Sequence, residues 1–123
     1  MTEYTVKVSE DGTKEFRLNG KLHREDGPAV EAANGKSWWL NGLRHREDGP
    51  AYELPNGYKM WFINGLQHRE DGPAAEWPDG SKSWYLNGKR HREDGPAVED
   101  ADGSKEWYLN GKRVTEEVVK GLK

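Results

Sequence analysis

The residues best suited to chemistry occur as four copies of one word, His-Arg-Glu-Asp-Gly-Pro-Ala, at His23 to Ala29, His45 to Ala51, His68 to Ala74 and His91 to Ala97. Such a word could ligate a metal, run acid–base chemistry or recognise an anion. The copies begin 22, 23 and 23 residues apart. If each repeat is a hairpin with strands about 4.8 Å apart, equivalent positions lie roughly 10 Å from one another. Two ligands of one zinc ion, each about 2 Å from it, sit within about 4 Å of each other. The histidines therefore do not share an ion, and a His-x-x-Asp pair supplies only two ligands, so neither a metal nor a cofactor is expected. Glu25 and Asp26 are adjacent, which on a strand turns them to opposite sides and makes them a poor facing acid–base pair. No nucleophile motif or phosphate-cradling loop accompanies them. The chain reads as a non-enzyme with no catalytic residues.

Anion recognition is the third chemistry. Arg presents a bidentate fork suited to phosphate, and neighbouring aromatic rings could stack a base. The residues for this alternative reading, a sponge for a small anionic ligand such as a nucleotide signal, are His45, Arg46, His68, Arg69, His91 and Arg92. Each Arg is followed directly by Glu and Asp, which compete for the guanidinium and repel phosphate. The favoured reading is structural: Arg reaches a carboxylate of its own or the next unit, Asp-Gly-Pro turns the chain, and His donates to a backbone carbonyl.

A period of 22 to 23 residues points to a stacked array, in which near-identity follows because each unit docks on a copy of itself. The unit reads [Asp/Asn]-Gly-x-Lys-x-Trp-aromatic-Leu-Asn-Gly-x-x followed by the word and x-Glu. Asn-Gly between short apolar-polar segments marks a type I′ hairpin, so each unit is expected to supply two strands. The other connection, as in Ala101-Asp102-Gly103, suits a type I turn with a glycine bulge; Asn34-Gly35 is one residue shorter, matching the single 22-residue step. The predicted fold is all-β, an elongated antiparallel meander of tandem hairpins with a short C-terminal capping helix. Residues 1–11 form a capping strand through Tyr4, Val6 and Val8, residues 12–113 the hairpins, and residues 114–123 the cap. There Thr115 N-caps a helix carrying Val118, Val119 and Leu122 on one side. An open sheet edge also invites edge-to-edge pairing with a second copy.

Strand alternation places Phe16/Leu18, Trp38/Leu40, Trp61/Ile63, Trp84/Leu86 and Trp107/Leu109 on one face, the expected core. Arg17, Trp39, Phe62, Tyr85 and Tyr108 point the other way, joined by Val30, Tyr52, Ala75 and Val98. From this second stripe Tyr52, Phe62, Tyr85 and Tyr108 are the candidate partner-binding residues, because aromatic side chains suit interface hot spots.

At 123 residues the chain has the length of one domain, and six Trp and five Tyr in a regular pattern argue against a solvated coil. Net charge is −3, with charges of both signs and no broad basic face, so a nucleic-acid polymer is not expected as partner. Without cysteine or an apolar run long enough to span a bilayer, a cytoplasmic protein with no membrane span is expected.

The alternation of Asp79-Gly80-Ser81-Lys82 with Asn87-Gly88-Lys89-Arg90-His91 resembles the MORN repeat, whose units are 23-residue β-hairpins. It is more similar still to the divergent MORN-like arrays of bacterial and bacteriophage proteins. The resemblance runs from Asp11 to Arg113. The usual Tyr-Glu-Gly-Glu-Trp segment is replaced by Lys-x-Trp-Tyr-Leu, and residues are distributed differently between the two turns. The resemblance implies a non-enzymatic scaffold for a protein partner, with antitoxin-like or phage inhibitor sequestration among its uses.

Overall fold

The computed structural model describes residues 2–122, and the outermost positions of both expected caps, 1 and 123, lie outside the described residues. The five Asn-Gly pairs that follow Leu or Ile form the expected turn. Asn19, Asn41, Asn64, Asn87 and Asn110 have φ of 49 to 52°, and the glycine after each has φ of 81 to 84°, the two left-handed residues that a type I′ hairpin needs. The alternate connections carry the glycine bulge. At Trp77 the backbone N–H donates to the Ser81 carbonyl at 2.9 Å, the Gly80 N–H donates to the Trp77 carbonyl at 3.0 Å, and the Asp79 carboxylate accepts from the Ser81 N–H at 2.9 Å. In the shorter connection Ala32 pairs directly with Gly35, which removes the bulge and accounts for the 22-residue step.

In the three inner units both expected strands are broken into two, whereas Lys14–Leu18 and Lys105–Leu109 at the ends of the array run unbroken. In the third unit Lys59–Met60 belongs to a long central sheet, whereas Phe62–Ile63 pairs with Leu66–Gln67 in a separate hairpin. Trp61 is the break. Its N–H donates to the Ala74 carbonyl at 2.8 Å, and its carbonyl accepts from the His68 N–H at 3.1 Å. The word thus loops out between two hydrogen bonds to one residue, bending the strand while both backbone groups of Trp61 stay paired. The central sheet follows chain order from Tyr4–Val8 to Lys112–Val114.

Its register lays Lys14, Glu31, Lys36, Glu53, Lys59, Glu76, Lys82, Glu99 and Lys105 side by side, each opposite the next. Opposite charges directly across an antiparallel pair stabilise it, and like charges penalise a slipped register. This alternating row binds the units together on one face of the sheet.

The enclosed core is not the expected aromatic stripe. Ala29, Ala51, Ala74, Ala75 and Ala97 are fully buried, with Ser37, Ser83 and Val98 nearly so, while Phe16, Trp38, Trp61, Trp84 and Trp107 are half-buried. The reason is the position of the word's last residue. Ala74 accepts from Trp61 within its unit and donates to the Ser83 carbonyl of the next at 2.8 Å, so backbone closes around its methyl group and the larger rings lie over the flanks.

The N-terminal strand forms as expected, with Tyr4 opposite Leu18 and Val6 opposite Phe16, and its apolar side chains are exposed. At the other end Thr115 Oγ1 accepts from the Val118 N–H at 3.4 Å and caps the helix Glu116–Lys120. Only Val119 is buried; Val118 and Leu122, expected beside it, are exposed. A five-residue helix is little more than one turn, and of its apolar side chains Val119 reaches the cleft beside Trp107, flanked there by Glu116 and Lys120. No described helix is long and apolar enough to cross a membrane.

Candidate functional site

The sheet sorts the candidate residues onto two faces. On the first, the word arginines are held inside their own units. Arg69 Nε donates to Asp71 at 3.2 Å, and Nη1 donates to the Pro73 carbonyl at 3.0 Å and to Glu76 at 3.1 Å. Its guanidinium carbon lies 3.9 Å from the centre of the Trp61 ring. On the other side sits Gly72, where a Cβ would meet that carbon at 2.9 Å. The plate is therefore clamped between a ring and a bare backbone, which is why the word needs glycine here. Arg24, Arg46 and Arg92 repeat the arrangement over Phe16, Trp38 and Trp84. The carboxylate partners all come from the arginine's own unit, one of the two options expected.

His acts in the opposite sense to the expectation. His23, His45, His68 and His91 accept through Nδ1 from the backbone N–H of Asn41, Asn64, Asn87 and Asn110, each at 2.9 Å. The reason is geometric: the turn of the following unit presents an N–H to the ring, so Nδ1 must be unprotonated and Nε2 carries the hydrogen. In the fourth word Nε2 lies 3.1 Å from Glu93, consistent with that tautomer. These bonds tie each word to the next hairpin. Arg46 N–H to the Phe62 carbonyl at 3.1 Å and Gly65 N–H to the Arg44 carbonyl at 2.8 Å add to the joint.

Between successive words lie three similar clefts, floored by Trp38 with Leu40, Trp61 with Ile63, and Trp84 with Leu86. The candidates His45, Arg46, His68, Arg69, His91 and Arg92 all line them, alongside the outward Glu and Asp of both neighbouring words. Asp48 and Asp71 carboxylates are 88% and 90% exposed. The rims are acidic.

The second face brings Tyr52, Phe62, Tyr85 and Tyr108 together with arginines that the sequence reading passed over. The Arg44 guanidinium carbon lies 4.8, 5.2 and 5.5 Å from the ring centres of Tyr52, Trp39 and Phe62. Arg90 lies 5.3 and 5.9 Å from those of Tyr108 and Tyr85. Tyr58 extends the cluster edge-on to Tyr52 and Trp77 at 6.1 and 5.8 Å, and burial raises its phenol above the usual tyrosine range. The four candidate rings are half-buried. Among the described residues, neither Arg44 nor Arg90 has a carboxylate within 4.0 Å, and the Nε of each is buried without a hydrogen-bond partner. The available signal was the position just before each word's His, occupied by Leu22, Arg44, Gln67 and Arg90 in turn.

Fold and faces together define a tandem β-hairpin array with an acidic ridge on one side and an aromatic–arginine face on the other. No protein family, curated protein or solved structure matches the chain.

Proposed function

We propose that this chain is a non-catalytic protein-binding module of the MORN-like kind, which sequesters a partner on the face carrying Tyr52, Phe62, Tyr85 and Tyr108. The observation that carries this reading is the contrast between the two sets of arginines. Those of the words are bonded to carboxylates and a carbonyl of their own units, as in Arg69, and serve the joints. Arg44 and Arg90 stand among half-buried rings and, among the described residues, form no ion pair, as interface hot-spot residues do. The same contrast weighs against the small-anion sponge at Arg46, Arg69 and Arg92, whose best donors are already engaged. Resemblance to MORN-like arrays supports a scaffold, and antitoxin-like sequestration is the mode we favour.

The test is capture of a partner from host extract by immobilised wild type and by the double variant Phe62→Ala/Tyr85→Ala. The expected result is loss of the captured species with the variant still cooperatively folded by circular dichroism. If the variant unfolds, the stripe is core rather than contact surface, and this reading fails.

A further inference from the structure

We infer that the aromatic–arginine face recognises an extended acidic segment of a partner protein, with carboxylates six residues apart that pair with Arg44 and Arg90. The inference rests on the protein-binding reading above and adds the partner's chemistry.

Three observations lead to it. First, Arg44 and Arg90 are partly desolvated: each Nε is buried and unpaired, and rings pack against the guanidinium. A guanidinium in this state has already lost part of its hydration, so pairing it with a carboxylate costs less and returns more than at an open surface. Second, among the described residues the central-sheet row from Ser37 to Val98, between the two arginines, carries no acid. The central-sheet row on this side runs Glu15, Val30, Ser37, Tyr52, Met60, Ala75, Ser83, Val98 and Glu106, each opposite the next; its acids stand at the two ends, where Glu106 accepts from the Tyr108 hydroxyl at 3.0 Å, Ser37, Ala75, Ser83 and Val98 are buried beneath the rings, and the repeat position between the two arginines is Gln67. Acidic side chains crowd the other face, where the words project Glu and Asp into the clefts. An acidic segment is therefore attracted to one face and repelled by the other.

Third, the spacing selects a conformation. Arg44 and Arg90 are two repeats apart, four strand spacings or about 19 Å. A polyproline II segment has three residues per turn and rises about 3.1 Å per residue, so residues i and i+6 lie on one side about 18.6 Å apart. Such a segment, laid along the array across Phe62 and Tyr85, presents two carboxylates to two arginines and has little conformational entropy left to lose. A single-stranded nucleic acid fits less well, because it brings a phosphate with every nucleotide to a protein of net charge −3 and meets only two guanidinium groups here.

The experiment is a nuclear magnetic resonance titration of the intact protein, following Trp39 and Tyr85, with blocked peptides in which two Glu residues are separated by five prolines, by two prolines, or replaced by Gln. We expect the five-proline peptide to saturate these resonances and the Gln peptide to leave them unmoved. R44Q/R90Q should weaken binding at least about tenfold. Because Gln67 occupies the same repeat position naturally, these substitutions are compatible with the fold, and thermal melting checks that. Gln67→Arg supplies the missing middle charge and should bring the two-proline peptide to comparable affinity. Equal binding by R44Q/R90Q, equal binding of the Gln peptide, or tighter saturation of the same resonances by a thymidine dodecamer would each overturn the inference. If R44Q/R90Q captures the cellular partner as wild type does while Phe62→Ala/Tyr85→Ala does not, the acidic chemistry is wrong and the binding face stands. If both variants capture it, the face itself is wrong and the inference falls with it.

Discussion

The joint between units makes a sharp prediction at His68. Its Nδ1 accepts the Asn87 N–H at 2.9 Å, and the side chain is only 17% exposed. His68→Ala removes both the acceptor and the packed ring, whereas His68→Asn places Oδ1 where Nδ1 stood and removes only the rest of the ring. A net intramolecular hydrogen bond contributes about 0.5–1.5 kcal/mol, and losing the buried part of the ring adds roughly 1–2 kcal/mol. We therefore expect His68→Ala to cost about 2–3 kcal/mol, and His68→Asn to recover about 1 kcal/mol of it. Equilibrium urea unfolding at neutral pH measures both, and long-range nitrogen correlation spectra report the tautomer directly. Because stability in a repeat array is a sum over units and interfaces, the Ala variant should also flatten the transition as the two halves uncouple. Equal destabilisation by Ala and Asn, or a spectrum showing hydrogen on Nδ1, would refute the proposed role of this bond.

Two further outcomes follow from the packing and the turns. Ala74→Val places two extra methyl groups where the native methyl is fully buried, and should cost about 1–3 kcal/mol by overpacking, whereas the same change at exposed Ala101 should leave the urea midpoint unchanged. Asp102 accepts from the Ser104 N–H at 2.9 Å, and its hydrogen bonds to Ser104 hold its carboxyl below the usual aspartate range. A depressed folded value means that its stabilisation is present above the unfolded value and disappears as pH falls through the folded one. A carbon-detected titration should give Asp102 a midpoint below that of unstructured aspartate, and Ser104→Ala should move it upward.

Much of the array was legible because its determinants are local. Positive φ at Asn and Gly follows a short motif, Leu or Ile before Asn-Gly, so Asn64-Gly65 announces its turn within a few residues, whereas Asn34-Gly35 and Asn56-Gly57 lack the motif and keep Asn out of the left-handed region. The period announced stacking for a related reason, since a unit that docks on its own copy must repeat the docking surface. The breaks at Trp38, Trp61 and Trp84 were not legible in the same way. They depend on Ala74 returning to bond the Trp61 N–H, thirteen residues along the chain, and no short pattern encodes that return. The direction of the His bond was hidden likewise, because its donor belongs to the turn of the following unit.

For the two faces the division is similar. The amino-acid sequence alone determined the hairpins, their order, the caps and the grouping of Tyr52, Phe62, Tyr85 and Tyr108 on one side of the strands, all consequences of alternation and turn chemistry. Tertiary structure decided which arginines are engaged. Arg69 and Arg90 carry the same side chain, yet one is clamped between Trp61 and Gly72 and paired with two carboxylates, while the other stands among Tyr85 and Tyr108 and, among the described residues, forms no ion pair. That difference arises because the word folds back over its own strand while the residue before it stays in the hairpin, a distinction made by the path of the backbone.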